Sequence, residues 1–158
     1  MTSTPADPAT DRSPAGIPPH TIVVGIDGSD TSQDALRWAV RQSRLTGQEV
    51  HAVVSWGYPV DVGPGAFGAF DPEANARDVL AKAVADVLDP ADAERVPQHV
   101  VAGHPARVLL DAAADADLLV VGSRGHGGFA GMLLGSVSQH VVAHATCPVL
   151  VVHEQQGV

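Results

Sequence analysis

LLVVGSRGHGGFAGMLLGSVSQHVV, residues Leu118 to Val142, decides how the chain reads. An apolar run, Leu118 to Val121, empties into a loop holding Gly122, Gly125, Gly127, Gly128 and Gly131, and a helix-like segment begins near Gly135-Ser136. The order is strand, glycine loop, helix. Backbone N–H groups converge on one point where some residues take φ > 0 and no Cβ blocks approach, so the loop reads as an anion nest. Ser136 stands at the N-cap position, where its hydroxyl and the free amides of the next turn point at the positive end of the helix dipole. Four or five such donors, at about 1.5–3 kcal/mol for each charge-assisted bond, suffice for a polyphosphate without a lysine. GSRGHGG indeed lacks the GKS or GKT ending of a P-loop. The plainer alternative is a surface turn between strand and helix.

Outward from that stretch, strands and helices alternate. Residues 1–20 are rich in Pro, Ser, Thr, Ala and Asp and read as a disordered tail, with 154–158 as a flexible C-terminus. Thr21 to Ile26 is a continuous apolar run, the mark of a strand covered on both faces. It ends at Asp27-Gly28-Ser29-Asp30, a turn with several capping candidates, and the helix after it, with Ala35, Leu36, Ala39 and Val40 on one side, stops at Gly47. Glu49 to Ser55 is the second strand. Residues 57–71 form a long Gly, Pro and aromatic connection at the same sheet edge as the glycine loop, either a lid or a plain loop. Asp71 caps the next helix with Pro72 at its first position, and Ala76, Val79, Leu80, Ala83, Val84, Val87 and Leu88 make its apolar stripe until Asp89-Pro90. Val96 to Ala102 is a third strand, placed at an edge by Pro97. Pro105 opens a helix with Val108, Leu109, Ala112 and Ala113 facing inward; the helix from Ser136 to about Ala145 and a last strand, Pro148 to His153, complete the chain.

This pattern predicts an α/β domain: an open five-stranded parallel sheet, strand order 3-2-1-4-5, with helices on both faces. In such sheets ligands bind beyond the carboxyl ends of the strands where the order reverses, here between the first and fourth strands. Asp27 ends the first and Gly122 begins the loop of the fourth, so both meet at that crevice. Asp27 reads as a ribose hydroxyl acceptor, as a metal ligand through water, or as a helix cap.

Bulk properties narrow the function. The 158 residues are 45% hydrophobic, with 4% aromatic, enough for one domain with a core of Val, Ala and Leu. The formal charge of −9 leaves no basic patch for nucleic acid or an anionic membrane surface. It also opposes a polyphosphate at long range, though screening confines that to about 8 Å. One cysteine, Cys147, excludes an internal disulfide, suits a reducing compartment and reads as a small buried hydrophobe. No secretory signal and no membrane-length apolar run is present, so the expected location is cytoplasmic. His140 and His144 stand one helical turn apart, a spacing that can ligate metal but has no third ligand nearby in sequence. No paired nucleophile and base stands out, so catalysis beyond slow ATP hydrolysis is not expected.

The run Gly122, two residues, Gly125, nine residues, Gly135-Ser136 resembles the nucleotide-binding branch of the universal stress protein family. The resemblance spans about Thr21 to His153 and includes VVGIDGS, the GHPA turn and CPVLVV. It implies a Rossmann-like domain over 21–153, similar to the adenine nucleotide alpha hydrolases, and a stress-response or signalling module that binds ATP, ADP or AMP, with at most slow ATP hydrolysis. It implies Asp27 near the ribose, the backbone of Ala52 and Val53 on the adenine edge, Gly122, Gly125 and Gly135 shaping the phosphate loop, and Ser136 with Val137 on the terminal phosphates. It also implies an accompanying divalent cation such as Mg2+ and a homodimer joined through the last strand, Val149 to Val152. Arg124 reads either as a phosphate contact or as a solvated charge. Two alternatives stay open: an enzyme using adenine nucleotides for hydrolysis or adenylyl transfer, and a dimeric interaction module without nucleotide. The first lacks an SGG-type loop after the first strand, which reads GIDGSD.

Overall fold

The computed structural model describes residues 15–58, 68–126 and 131–154. Five parallel strands form one sheet: β1 (Ile22–Gly25), β2 (Val50–Trp56), β3 (Gln98–Ala102), β4 (Leu118–Gly122) and β5 (Val149–Val152). They lie in the order β3-β2-β1-β4-β5, as the alternation predicts. The helices are α1 (Asp30–Thr46), α2 (Pro72–Val87), α3 (Pro90–Glu94), α4 (Pro105–Ala112) and α5 (Ser136–His144).

β1 is central and wholly buried, which explains its unbroken apolar sequence. Ile22 and Val24 face one core, packed with Ala35, Leu36 and Ala39 of α1 and Leu80 of α2. Val23 faces the other, with Val108 and Leu109 of α4 and Val141 of α5. The two cores lie on opposite faces of the sheet because successive side chains of a strand alternate. α1 is capped by Ser29, whose hydroxyl accepts from Ser32 N, and ends at Gly47 with φ 77°, a left-handed stop that favours glycine. Asp71 caps α2 by accepting from Glu73 N and Ala74 N.

Several expectations need correction. Asp89-Pro90 ends one helix and starts another: Asp89 caps the five-residue α3, because an acceptor side chain followed by proline is also a start signal. β3 begins at Gln98, not Val96, and Pro97 lends only its carbonyl, to Ala52 N at 3.0 Å. Gly135, in extended conformation (φ −72°, ψ 168°), is the N-cap of α5, and Ser136 is its first helical residue, so no side-chain cap is made. The expected tail is also too long at its inner end. Ile17 is only 1% exposed and packs into the second core, His20 N donates to Asp115 O at 3.3 Å, and Thr21 Oγ1 donates to Pro18 O. One isoleucine among prolines gave no periodic signal. Residues 1–14 and 155–158 lie outside the described residues.

Candidate functional site at the β1–β4 crevice

A cavity of about 720 Å³ opens beyond the carboxyl ends of β1 and β4, within the size range of small-molecule sites. Its floor is Gly25, Ile26 and Asp27 after β1 and Val121 and Gly122 of β4; Arg124, Gly125 and His126 of the glycine loop form one wall. Gly135, Ser136 and Val137 at the start of α5 stand beside them. Val53 and Trp56 of β2, Phe70, and Val79 of α2 give the opposite end an apolar character. One end is thus glycine backbone and a helix N-terminus, and the other is hydrocarbon and rings.

The chain makes this geometry by close approach. A Cβ on Gly125 would collide with Asp27 Oδ2, and one on Gly122 would collide with Thr31, whose carbonyl carbon would lie 2.8 Å away. Neither glycine takes positive φ; in this loop, among the described residues, only Gly131 does, at 96°. At Gly122 and Gly125 the need is for close approach instead, backbone segments passing where no side chain fits. Gly135 differs again, since its nearest would-be contact is Arg124 Cα at 3.5 Å, an ordinary distance. Its open side belongs to the cavity.

Asp27 is held in place. Its Oδ1 accepts from Ser29 N at 2.9 Å and from Ser29 Oγ at 2.5 Å, which leaves Oδ2 on the side of Gly125. The glycine loop is fastened to α1: Thr31 Oγ1 donates to Arg124 O at 2.5 Å. Gly135 N donates to Ser123 O at 2.7 Å, and Ser138 Oγ to Gly122 O at 2.7 Å, so both ends of the loop are tied. Ser29, Thr31 and Ser138 were not singled out from sequence as site residues. For Ser29 a signal existed, its place in the turn GIDGSD; for Thr31 and Ser138 only the fold supplies one.

Of the sequence-derived residues, Asp27, Val53, Gly122, Arg124, Gly125, Gly135, Ser136 and Val137 come together at the cavity. The side chain of Ala52 packs in the first core, turned by strand alternation to the opposite face from Val53, which bears on its side chain and not on the main chain that the resemblance sets on the adenine edge. Arg124 also reaches Glu154, with Nη2 to Oε2 at 3.6 Å on the surface. His126 and Val79 are cavity residues that the sequence reading left without a role or assigned to packing. Residues 59–67 of the expected lid and Gly127 and Gly128 lie outside the described residues; Trp56, Gly57 and Phe70 on either side of that stretch line the cavity.

Other candidates separate from this site. His140 and His144 stack with ring centroids 4.4 Å apart on the surface of α5, and His144 Nδ1 lies 2.9 Å from His140 O. Among the described residues no group of three or more His, Cys, Asp or Glu could hold a metal ion. Cys147 is half-buried against the second core, and burial raises its thiol pKa. No described helix is long and apolar enough to cross a membrane.

Comparison with known proteins agrees with this architecture. A family model described as the universal stress protein family matches residues 19–153. A universal stress protein of Mycolicibacterium smegmatis is 38% identical over 131 residues, which cover 83% of this chain and 45% of that one. The chain thus spans about half the length of the curated relatives it matches. Among solved structures, universal stress protein UspA from Lactobacillus plantarum shares the fold, with a TM-score of 0.71 at 24% identity over 90% of this chain and 99% of that one. A universal stress protein crystallised in complex with cAMP has a TM-score of 0.62 at 27% identity, over 85% of this chain and 97% of the other.

Proposed function

Because this chain belongs to the universal stress protein family, we propose that it is a nucleotide-responsive binding module whose ligand is an adenine nucleotide held in the β1–β4 crevice. The observation that carries this reading is the juxtaposition of the Asp27 carboxylate with Gly125 at the mouth of the phosphate-loop segment. It offers a ribose-sized acceptor beside a wall of glycine backbone, at the place where a parallel sheet of this order receives its ligands. A relative of known structure binds cAMP, and the residues here fit the same ligand class.

In this reading Oδ2 of Asp27 accepts from a ribose hydroxyl, since Ser29 already occupies Oδ1. The adenine lies toward Val53, Val79 and Trp56, whose apolar surfaces exclude water from the ring faces. The phosphates lie against Gly122, Gly125 and Gly135 and the first turn of α5, where Ser136, Val137 and Ser138 present main-chain N–H groups at the positive end of the helix dipole. Arg124 contributes charge from the rim. ATP with Mg2+ is the proposed full ligand, and ADP and AMP use part of the same site. The magnesium ion would be held chiefly by phosphate and water.

The proposed role is binding rather than turnover. Among the described cavity residues the Ser29 hydroxyl donates to Asp27 and also caps α1, which gives that pair a structural role. The proposed assembly is a homodimer through β5, because Val149 to Val152 are only half-covered and form an apolar edge that a second copy can pair. A cytoplasmic location and a stress-response or signalling role belong to the same proposal.

The test is thermal unfolding and calorimetry of nucleotide-stripped protein with ATP, ADP, AMP, cAMP and GTP, each with and without magnesium. A ligand at a hundred times its Kd stabilises by about 2.7 kcal/mol, and a domain of this size gains roughly 2–4 °C per kcal/mol. Adenine nucleotides are expected to raise the midpoint by several degrees, more than GTP, and Gly125→Val is expected to abolish the gain. No shift with any nucleotide at millimolar concentration would overturn the reading.

A further inference from the structure

Among the described cavity residues, Arg124 is the only lysine or arginine. Its main chain is fixed: Thr31 Oγ1 donates to its carbonyl, and its Cα lies 3.5 Å from where a Cβ on Gly135 would stand. The side chain therefore starts at the cavity wall, beside the first turn of α5. Its guanidinium is already engaged, with Nη2 3.6 Å from Oε2 of Glu154. Arg124 makes no other ion pair among the described residues. Asp27, the other charged acid or base of the cavity wall besides His126, is held by Ser29 and stays apart from it.

The sheet brings Glu154 to this place. β4 and β5 run parallel with Gly122 opposite Val152, and Ser123 N donates to Val152 O at 2.8 Å. Two residues beyond that register, Arg124 stands beside Glu154. Ser123 is 2% exposed and its carbonyl accepts from Gly135 N at 2.7 Å, so the end of β5 and the glycine loop are joined through a buried residue. Glu154 itself lies outside the cavity lining and is 61% exposed, against 37% for Arg124. It reaches the cavity's one guanidinium from the solvent side.

We propose, resting on the nucleotide reading above, that Glu154 determines specificity through Arg124: it competes with the ligand's phosphates for the guanidinium and so sets how far the site favours a triphosphate over a nucleoside. A carboxylate and a phosphate offer an arginine the same paired acceptors, so one guanidinium cannot serve both fully. A phosphate at the start of α5 must draw Arg124 off Glu154 or approach a cation already neutralised. Adenosine, with no phosphate, meets neither effect. Glu154 is a positioning residue in this scheme, since it acts on the ligand by where it holds Arg124. The size is set by exposure: couplings of such surface pairs correspond to roughly 1.5- to 5-fold in affinity.

The test is calorimetry of the nucleotide-stripped full chain with adenosine, AMP and ATP, without magnesium and at low ionic strength. The proteins are wild type, Glu154→Gln, Arg124→Gln, the double variant, and Glu94→Gln, which removes the same charge from α3 outside the cavity. Glu154→Gln is expected to raise the ratio of ATP to adenosine affinity about two- to fivefold, with AMP between the two. Salt at about 0.5 M should remove most of that gain. In the Arg124→Gln background the gain should largely disappear. An unchanged ratio in Glu154→Gln overturns the inference. So does a rise that persists without Arg124 or is matched by Glu94→Gln, because net charge alone then accounts for it. If neither adenosine nor ATP binds any of these proteins, the nucleotide reading fails and this inference with it; adenosine binding with a flat ratio strikes the inference alone.

Discussion

The carboxylate of Asp27 occupies the space that a side chain on residue 125 would need. The two residues are 98 positions apart in sequence, yet each defines the other: glycine lets the loop come down onto the aspartate, and the aspartate forbids anything larger. Gly125→Ala is expected to destabilise by about 1–3 kcal/mol, the usual cost of forcing extra atoms into packed structure. Denaturant unfolding measures it. Adding Asp27→Ala should return part of that loss, and a double-mutant cycle with no coupling would show that the contact is not made.

Gly122 and Gly135 should behave oppositely, although the same spacing motif contains both. Gly122→Ala drives a Cβ into the Thr31 backbone, which cannot swing away as a side-chain tip can, so destabilisation of at least 2 kcal/mol is expected. Gly135→Ser meets no neighbour nearer than ordinary contact and supplies the N-cap hydroxyl that α5 lacks. It should stabilise by a few tenths of a kcal/mol and, under the proposed function, weaken nucleotide binding. Melting curves and calorimetry of the two variants separate these outcomes.

Thr31 fastens the glycine loop to α1 through its hydroxyl on Arg124 O. Thr31→Val keeps the shape and removes the donor, at an expected cost of about 0.5–1.5 kcal/mol. If the bond positions the phosphate wall, affinity should fall several-fold for ATP and little for adenosine. Equal losses for the two ligands would mean that the threonine is only structural.

Ile17→Ala tests the corrected boundary of the domain. A residue 1% exposed in the second core should cost about 2–5 kcal/mol when truncated. A residue in a tail would cost nothing measurable.

Stability should also fall in mild acid. The His99 pKa is lowered in the folded protein, so between that lowered value and 6.5 the unfolded chain binds more protons than the folded one. Stability is complete above about pH 6.5 and declines as pH drops below it. His99→Gln should flatten the urea-midpoint profile between pH 7.5 and 5. The thiol of Cys147 is shifted the other way, raised by burial, so its contribution is present at neutral pH and lost in strong base. Alkylation of the folded protein at pH 8 should accordingly run slower than that of the unfolded chain.

Much of this molecule is legible along the chain. The helix faces of Ala35, Leu36 and Ala39 and of Leu80, Ala83 and Val84, the stop at Gly47, the caps at Asp71 and Pro72, and the edge position of β3 all rest on local periodicity or on one residue's stereochemistry. So does the meeting of Asp27 with the glycine loop, since strand order alone brings those two ends together. Val79 was misread as plain packing because helical spacing reports which side a residue lies on, not whether a cavity interrupts that side.

The sequence by itself determined the alternation of strand and helix, the order of the sheet, the edge where a ligand would enter, and the family resemblance carried by Gly122, Gly125 and Gly135-Ser136. Only the tertiary structure decided which of those glycines is needed for want of a Cβ, that Gly135 rather than Ser136 caps α5, that the side chain of Ala52 turns into the core, that Ile17 belongs to the domain, and that His51 meets His99. The physical reason is range. Periodicity and capping are properties of neighbouring residues, whereas collision, burial and a contact between two rings depend on segments that sequence leaves far apart and only the closed sheet brings within a few ångströms.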